Sequence, residues 1–157
     1  MKRLTLPRIF PSTAILAVLL ASALPACASL GGTVTSVAAD QTQMKAKISV
    51  THADDYDLHQ IQSPSGTTVN EYVSPEGKVF AVTWHGQFPP QMQQVLGPYY
   101  AQYVAALQAQ EHHYGHRPLD IQLPGLVIQT GGHTRAYYGR AYVPDLLPSG
   151  VQADEIR

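Results

Sequence analysis

His112, His113 and His116 are the densest group of metal-competent side chains in the chain. His112 and His116 stand four apart, the spacing that puts two imidazoles on one helix face and could begin a zinc site. Gly115 and Arg117-Pro118 mark the helix as ending there, and histidines near a helix C-terminus complement its dipole without any ligand. A closed site needs further ligands, and only Glu111 and distant His133 offer themselves, so no metal and no cofactor is expected. Asp54-Asp55-Tyr56-Asp57 has the acidic density of a calcium loop. It lacks the longer alternation of oxygen donors, the central glycine and the closing glutamate, and reads as a solvated turn.

Nucleophilic hydrolysis has little to work with. The sequence has no Gly-x-Ser-x-Gly, and Ser63, Ser65 and Ser74 sit in Pro-Gly turns where serine is a common turn former. Glycoside hydrolysis needs two converging carboxylates, and Glu71 stands by itself. Gly131-Gly132 lacks the lysine and following helix of a phosphate loop. The one cysteine, Cys27, lies in the N-terminal leader, so the body of the chain has no thiol chemistry and no disulfide.

Residues 131–142, GGHTRAYYGRAY, mix histidine, arginine and tyrosine on one strand-like run. Arginine and tyrosine carry interface hot spots and bind anions or polymers. His133, Arg135, Tyr137, Tyr138, Arg140 and Tyr142 are therefore the candidate binding residues, with no catalytic residue assigned. Arg135 and Arg140 are an odd number apart and should face opposite sides of a sheet, unless Gly139 marks a bulge. One of the two arginines is expected to pair with Glu71, read as a buried carboxylate. The rival reading is a hydrolase or metal-dependent enzyme built from Glu71, His133 and Arg135.

These side chains need a scaffold, and turn chemistry outlines one. Tyr56–Gln62, Thr67–Val73 and Lys78–His85 read as strands, separated by Ser63-Pro64-Ser65-Gly66 and Ser74-Pro75-Glu76-Gly77. Two turns of one chemistry, eleven residues apart, predict an antiparallel meander. Four-residue turns would set Val73 opposite Lys78, Glu71 opposite Phe80, Val69 opposite Val82 and Leu58 opposite Glu71. That register collects Tyr56, Leu58, Val69, Val73, Phe80, Val82 and Trp84 on one core face around Glu71, and a bulge at either turn would change it.

Residues 46–52 alternate as a further strand, and Ser36 caps a short helix through Met44. Met92, Leu96, Tyr99, Tyr100, Tyr103 and Leu107 follow helical spacing, interrupted at Gly97-Pro98. They predict the helix that covers the sheet. Strands return at Leu119–Leu123, Leu126–Thr130 and Thr134–Val143, with Gly131-Gly132 as a hairpin break. Residues 29–34 read as a loose lead-in and residues 144–157 as an irregular strap. The fold class is α+β: an antiparallel meander packed on one principal helix, with further C-terminal strands.

The leader sets the compartment. Lys2, Arg3 and Arg8 precede an apolar run from Ala14 to Leu24, and Ala26-Cys27-Ala28 supplies small residues for cleavage. That order is the secretory pattern, and the run is shorter than the ~20 residues of a membrane span. Residues 1–28 are expected to be a signal peptide and residues 29–157 a single domain, periplasmic or secreted. Leu24-Pro25-Ala26-Cys27 also resembles a lipobox, which leaves Cys27 as the alternative lipidation site and membrane anchor. Beyond the leader, seven basic residues face eleven acidic ones, a net charge of −4. That balance speaks against nucleic acid and anionic lipid as partners.

Three stretches together carry a resemblance: EYVSPEGKVFAVTWHG at 71–86, VLGPYYAQY at 95–103 and GGHTRAYYGRAYVPDLLPSGV at 131–151. With Leu30-Gly31-Gly32 and Asp154-Glu155-Ile156-Arg157, they resemble DUF2844, a family of uncharacterised exported bacterial proteins. The resemblance covers nearly the whole chain after the leader. It implies a Gram-negative host and one exported domain, but no activity, cofactor or site residue. Residues and resemblance together lead to a non-catalytic binding or assembly accessory, with another exported or envelope protein as its partner.

Overall fold

The computed structural model describes residues 30–34, 47–110 and 118–157. Seven strands form one antiparallel sheet: β1 (Lys47–His52), β2 (Asp57–Gln62), β3 (Thr67–Val73), β4 (Val79–Gly86), β5 (Leu119–Leu123), β6 (Leu126–His133) and β7 (Ala136–Tyr142). Their order in the sheet is β1-β2-β3-β4-β7-β6-β5. Two meanders, β1 to β4 and β5 to β7, thus meet where β4 pairs with β7. The chain between them carries α1 (Met92–Leu96), a 3-10 turn at Gly97–Tyr99 and α2 (Tyr100–Ala109). The Gly97-Pro98 interruption is resolved as that 3-10 turn, with Pro98 in its first positions, where its missing N–H costs nothing. The class is α+β, as the turn and periodicity pattern predicts. The expected Ser36–Met44 helix and the His112, His113 and His116 cluster lie outside the described residues.

Helix and sheet bury a core of Ile61, Val69, Val73, Val82, Trp84, Ile128 and Ala141 against Val95 and Leu96. Met92, Tyr99, Tyr100 and Tyr103 pack on it as the helical spacing requires, whereas Leu107 is 37% exposed. Residues 30–34 are no loose lead-in. Leu30 is fully buried, and its N–H donates to Val95 O while Gly31 N–H donates to Val79 O. This short segment ties α1 to the start of β4, because its leucine plugs the core and its backbone completes the ladder there.

The register departs from the simple four-residue-turn expectation, and the turns explain how. In both, the glycine lies in the left-handed region (Gly66 φ 84, Gly77 φ 76), and the first serine's N–H bonds the residue after the glycine (Thr67 O, Lys78 O). That is a tight turn followed by a glycine bulge, which adds one residue to each hairpin. In the first hairpin Glu71 therefore faces His59 and Leu58 faces Tyr72. In the second, a further irregularity at Tyr72/Val73 shifts the pairing again, so Val69 faces Trp84 and Glu71 faces Val82. Val69, Val73, Val82 and Trp84 keep their expected core face. Tyr56, Leu58 and Phe80 move to the opposite one.

There they form a second core with Tyr72, Ala81 and Tyr142, covered by Leu146, Leu147, Val151 and Ile156 of the tail. Tyr56, Tyr72 and Phe80 meet with ring centroids 5.3 to 6.1 Å apart, in tilted and edge-on arrangements. The tail is thus a strap with its own apolar anchors. Gly131-Gly132 is not a hairpin break: both lie within β6, and the turn is Thr134-Arg135, with His133 opposite Ala136. Gly139 is not a bulge either, since the pairings of β7 run through it unbroken on both sides.

Candidate binding site

The sheet has a helix-covered face and a strap-covered face, and the strap closes only part of the second. At one level of that face the cross-strand partners run Ser49, Gln60, Asn70, Thr83, Arg140, Gln129, Asp120, one polar residue from each of the seven strands. Facing side chains in neighbouring strands are close enough to bond. Gln60 Nε2 donates to Asn70 Oδ1 at 3.2 Å, and Asn70 Nδ2 donates to Thr83 Oγ1 at 3.2 Å. Farther along, Arg140 Nε donates to Gln129 Oε1 at 2.7 Å, and Gln129 Nε2 to Asp120 Oδ2 at 3.3 Å.

The strap is pinned along this row. Thr83 Oγ1 donates to Arg157 O at 3.2 Å, and the Tyr72 hydroxyl donates to the same oxygen at 2.7 Å. Burial pushes the Tyr72 phenol pKa up, against the weaker opposing pull of these hydrogen bonds. Arg140 Nη1 donates to Ala153 O at 2.7 Å and Ile156 O at 3.2 Å, and the guanidinium carbon lies 5.9 Å from the Tyr142 ring centre. On one side of the row the face is apolar and closed. On the other it opens into a cleft of about 560 Å³ whose walls include His85, Asp120, Gln129, Tyr138, Arg140 and Arg157.

Tyr138 forms the outer wall. It stands opposite Gly131, and a β-carbon at Gly131 would lie 2.6 Å from its hydroxyl and 2.7 Å from Cζ. The ring thus leans over the space the glycine leaves, while Tyr138 remains 58% exposed.

The six candidate binding residues divide. Tyr138 and Arg140 meet in the cleft, and Tyr142 lies on the same face, half-buried at the strap. Tyr137 points to the other face, opposite Gly132 and Gly86. His133 and Arg135 are exposed at the β6–β7 hairpin tip, where Arg135 takes a φ of 68. Arg135, Tyr137 and Tyr138 also line a shallower depression of about 350 Å³ beside His85 and Gly86.

Glu71 is 1% exposed on the helix-covered face, and neither arginine is its partner. Arg140 is on the opposite face with its bonds directed to Gln129 and the strap, and Arg135 is in the hairpin turn. The expected Glu71–arginine pair is therefore not formed. For the same reason Glu71, His133 and Arg135 do not converge on one catalytic centre. Among the described residues no group of three or more His, Cys, Asp or Glu side chains is placed to hold a metal ion, and no helix is long and apolar enough to cross a membrane. Asp120, Gln129, Thr83 and His85 escaped the sequence reading, because each is an ordinary alternating polar residue until strand order brings them together.

No curated protein and no solved structure is significantly similar to the chain. A family model described as a protein of unknown function matches residues 26–156, five sixths of the sequence. The chain that builds this strapped seven-stranded sheet is a member of the DUF2844 family.

Proposed function

We propose that the domain is a non-catalytic binding or assembly module of the exported fraction, and that the open strip of the strap-covered face is its contact surface. The observation that supports this most is the seven-residue polar row. Its two hydrogen-bonded runs, Gln60-Asn70-Thr83 and Arg140-Gln129-Asp120, fix side-chain geometry from strand to strand, and the second run surfaces in a cleft where a ligand can meet it. Tyr138 adds an exposed aromatic ring beside it, the kind of side chain that dominates contact energetics. The basic, apolar and small-residue order of residues 1–28 supports export, with anchoring through Cys27 as the alternative.

Hydroxyl-radical footprinting tests the assignment. The purified protein is exposed to radicals with and without an envelope extract of the cells that make it. The expected result is protection of Tyr138. Protection confined to another exposed residue, such as Phe88, with Tyr138 still reactive would refute it. So would substrate turnover lost on Glu71→Gln or His133→Ala in a protein that remains folded.

A further inference from the structure

We infer that the cleft takes an oligosaccharide bearing a carboxylate, a uronic-acid type of glycan; this rests on the open strip being the contact surface. The first argument is the charge of Arg140. Its guanidinium is half-buried, and its Nε and Nη1 are committed to Gln129 Oε1 and to the strap carbonyls of Ala153 and Ile156. These acceptors are all neutral. Among the described residues Arg140 makes no salt bridge. Its Nη2 has no acceptor among them either. A guanidinium fixed on two of its nitrogens, with the third free beside a cleft, is a directional site for an anionic oxygen.

The second argument narrows the anion. Asp120 stands in the same row two strands from Arg140, roughly 9–10 Å away at the backbone from the usual strand spacing. Its oxygens accept from Gln129 Nε2 and, at 3.5 Å, from Gln122 Nε2. A ligand charged at every repeat along its backbone, such as a nucleic acid or polyphosphate, would place negative charge against Asp120. A ligand with one carboxylate at Arg140 and hydroxyl groups toward Asp120 and Gln129 matches both ends, because a hydroxyl both donates and accepts. Sugar acids have that pattern.

The third argument is Tyr138. Its ring is set over Gly131 beside the polar row. A pyranose ring has hydroxyls at its rim and C–H groups on its face, so it can lie on the tyrosine while its rim reaches the row. A peptide is the weaker fit, since extended peptides add to sheet edges through backbone bonds. Here Thr83, Arg140 and Gln129 stand on β4, β7 and β6, which are paired on both sides, and the edge strand β5 adds Pro118, Leu119 and Asp120 to the lining.

The test uses calorimetry and amide chemical-shift mapping on the whole exported protein. Its probes are neutral oligosaccharides carrying a single galacturonate, the methyl ester of the same compound, a single-glucuronate oligosaccharide, hyaluronate oligomers, whose carboxylates alternate with a neutral sugar, tetraglutamate and tripolyphosphate. At least one uronate should bind and shift the amides of Gln129, Gly131, Tyr138 and Arg140. For galacturonate the methyl ester should bind about tenfold more weakly, and Tyr138→Ala should weaken uronate binding about tenfold with an unchanged melting temperature. Equal binding of acid and ester would overturn the carboxylate assignment. Tetraglutamate or tripolyphosphate shifting these amides while no uronate does would overturn the sugar and leave the contact surface standing. If no probe shifts them yet an envelope extract protects Tyr138, the glycan inference falls alone. If Tyr138 is not protected either, both fall.

Discussion

Gly139 and Trp84 make the sharpest test of the packing described here. A β-carbon on Gly139 would lie 2.4 Å from Trp84 Cζ2, 2.6 Å from Cε2 and 2.8 Å from Gln129 O. Carbon atoms rest at about 3.5–4.0 Å, so the indole would have to withdraw by about 1 Å. It has little room, since Trp84 is 3% exposed, and the carbonyl belongs to the neighbouring strand. Gly139 does not use a positive φ, so Gly139→Ala carries no backbone strain. The substitution would even gain about 0.4–1 kcal/mol from a stiffer unfolded chain. Against this stands an overpacking cost of about 1–3 kcal/mol. Complete ejection of the indole would forfeit up to about 4–6 kcal/mol, from ~150–250 Å² at ~25 cal/mol per Å². We expect a net loss of about 2–3 kcal/mol, between partial withdrawal and ejection. Urea unfolding followed by circular dichroism measures it. Trp84→Leu, itself destabilising, should be less so in the Gly139→Ala background, with a coupling of about 1 kcal/mol or more. Wild-type stability of Gly139→Ala, or strictly additive effects in the pair, would refute the reasoning.

Phe80→Ala should cost about 3–5 kcal/mol in the same assay, because Phe80 is fully buried in the aromatic cluster under the strap; a loss below 1 kcal/mol would mean that the strap does not seal it. Val151→Asp should release the strap, seen as new cleavage beyond residue 144 in limited proteolysis while β1 to β4 stay intact. His59 supplies a pH dependence: it is 8% exposed, neither ring nitrogen has a hydrogen-bond partner among the described residues, and burial holds its pKa below 6.5, against the opposing pull of Asp57. The unfolded chain then takes up this proton at higher pH than the fold does, so stability should fall as pH drops through 6.5 toward the folded value and level off below it. His59→Leu should remove that part of the slope, and an identical slope in the variant would exclude His59 as its source. Intact-mass measurement of protein purified from the cells that make it should show loss of residues 1–28, and a diacylglyceryl adduct on Cys27 would establish the anchored form instead.

The strands were legible because glycine, proline and serine punctuate them, and the helix because its apolar spacing survives the Gly97-Pro98 break. Register was not legible. Ser-Pro-x-Gly is compatible with turns that differ by one bulged residue, and that one residue decides whether Leu58 or His59 lies on the side of Glu71. Phe80 illustrates the same limit, since a second irregularity next to it turned a residue expected in the helix-covered core toward the strap. Gly131-Gly132 looked like a break because two glycines lack side chains to pack, but Tyr138 covers the first of them from across the ladder. The candidate site was half visible. Tyr138 and Arg140 stood out by type, while Asp120, Gln129 and Thr83 become a site only when strands distant in sequence are laid side by side.

The junction of β4 with β7 also bears on how the molecule assembles. Within each meander every pairing is between strands adjacent in sequence, so each can form with short loop closures. The β4–β7 ladder joins residues 81–86 to residues 137–142, across the whole helical excursion. Its closure entropy makes it the slow, non-local step of folding. The chain's single tryptophan, Trp84, sits on that seam opposite Gly139. Its fluorescence therefore reports the docking of two preformed halves, and far-ultraviolet dichroism, sensitive to the separate meanders, should run ahead of it in refolding.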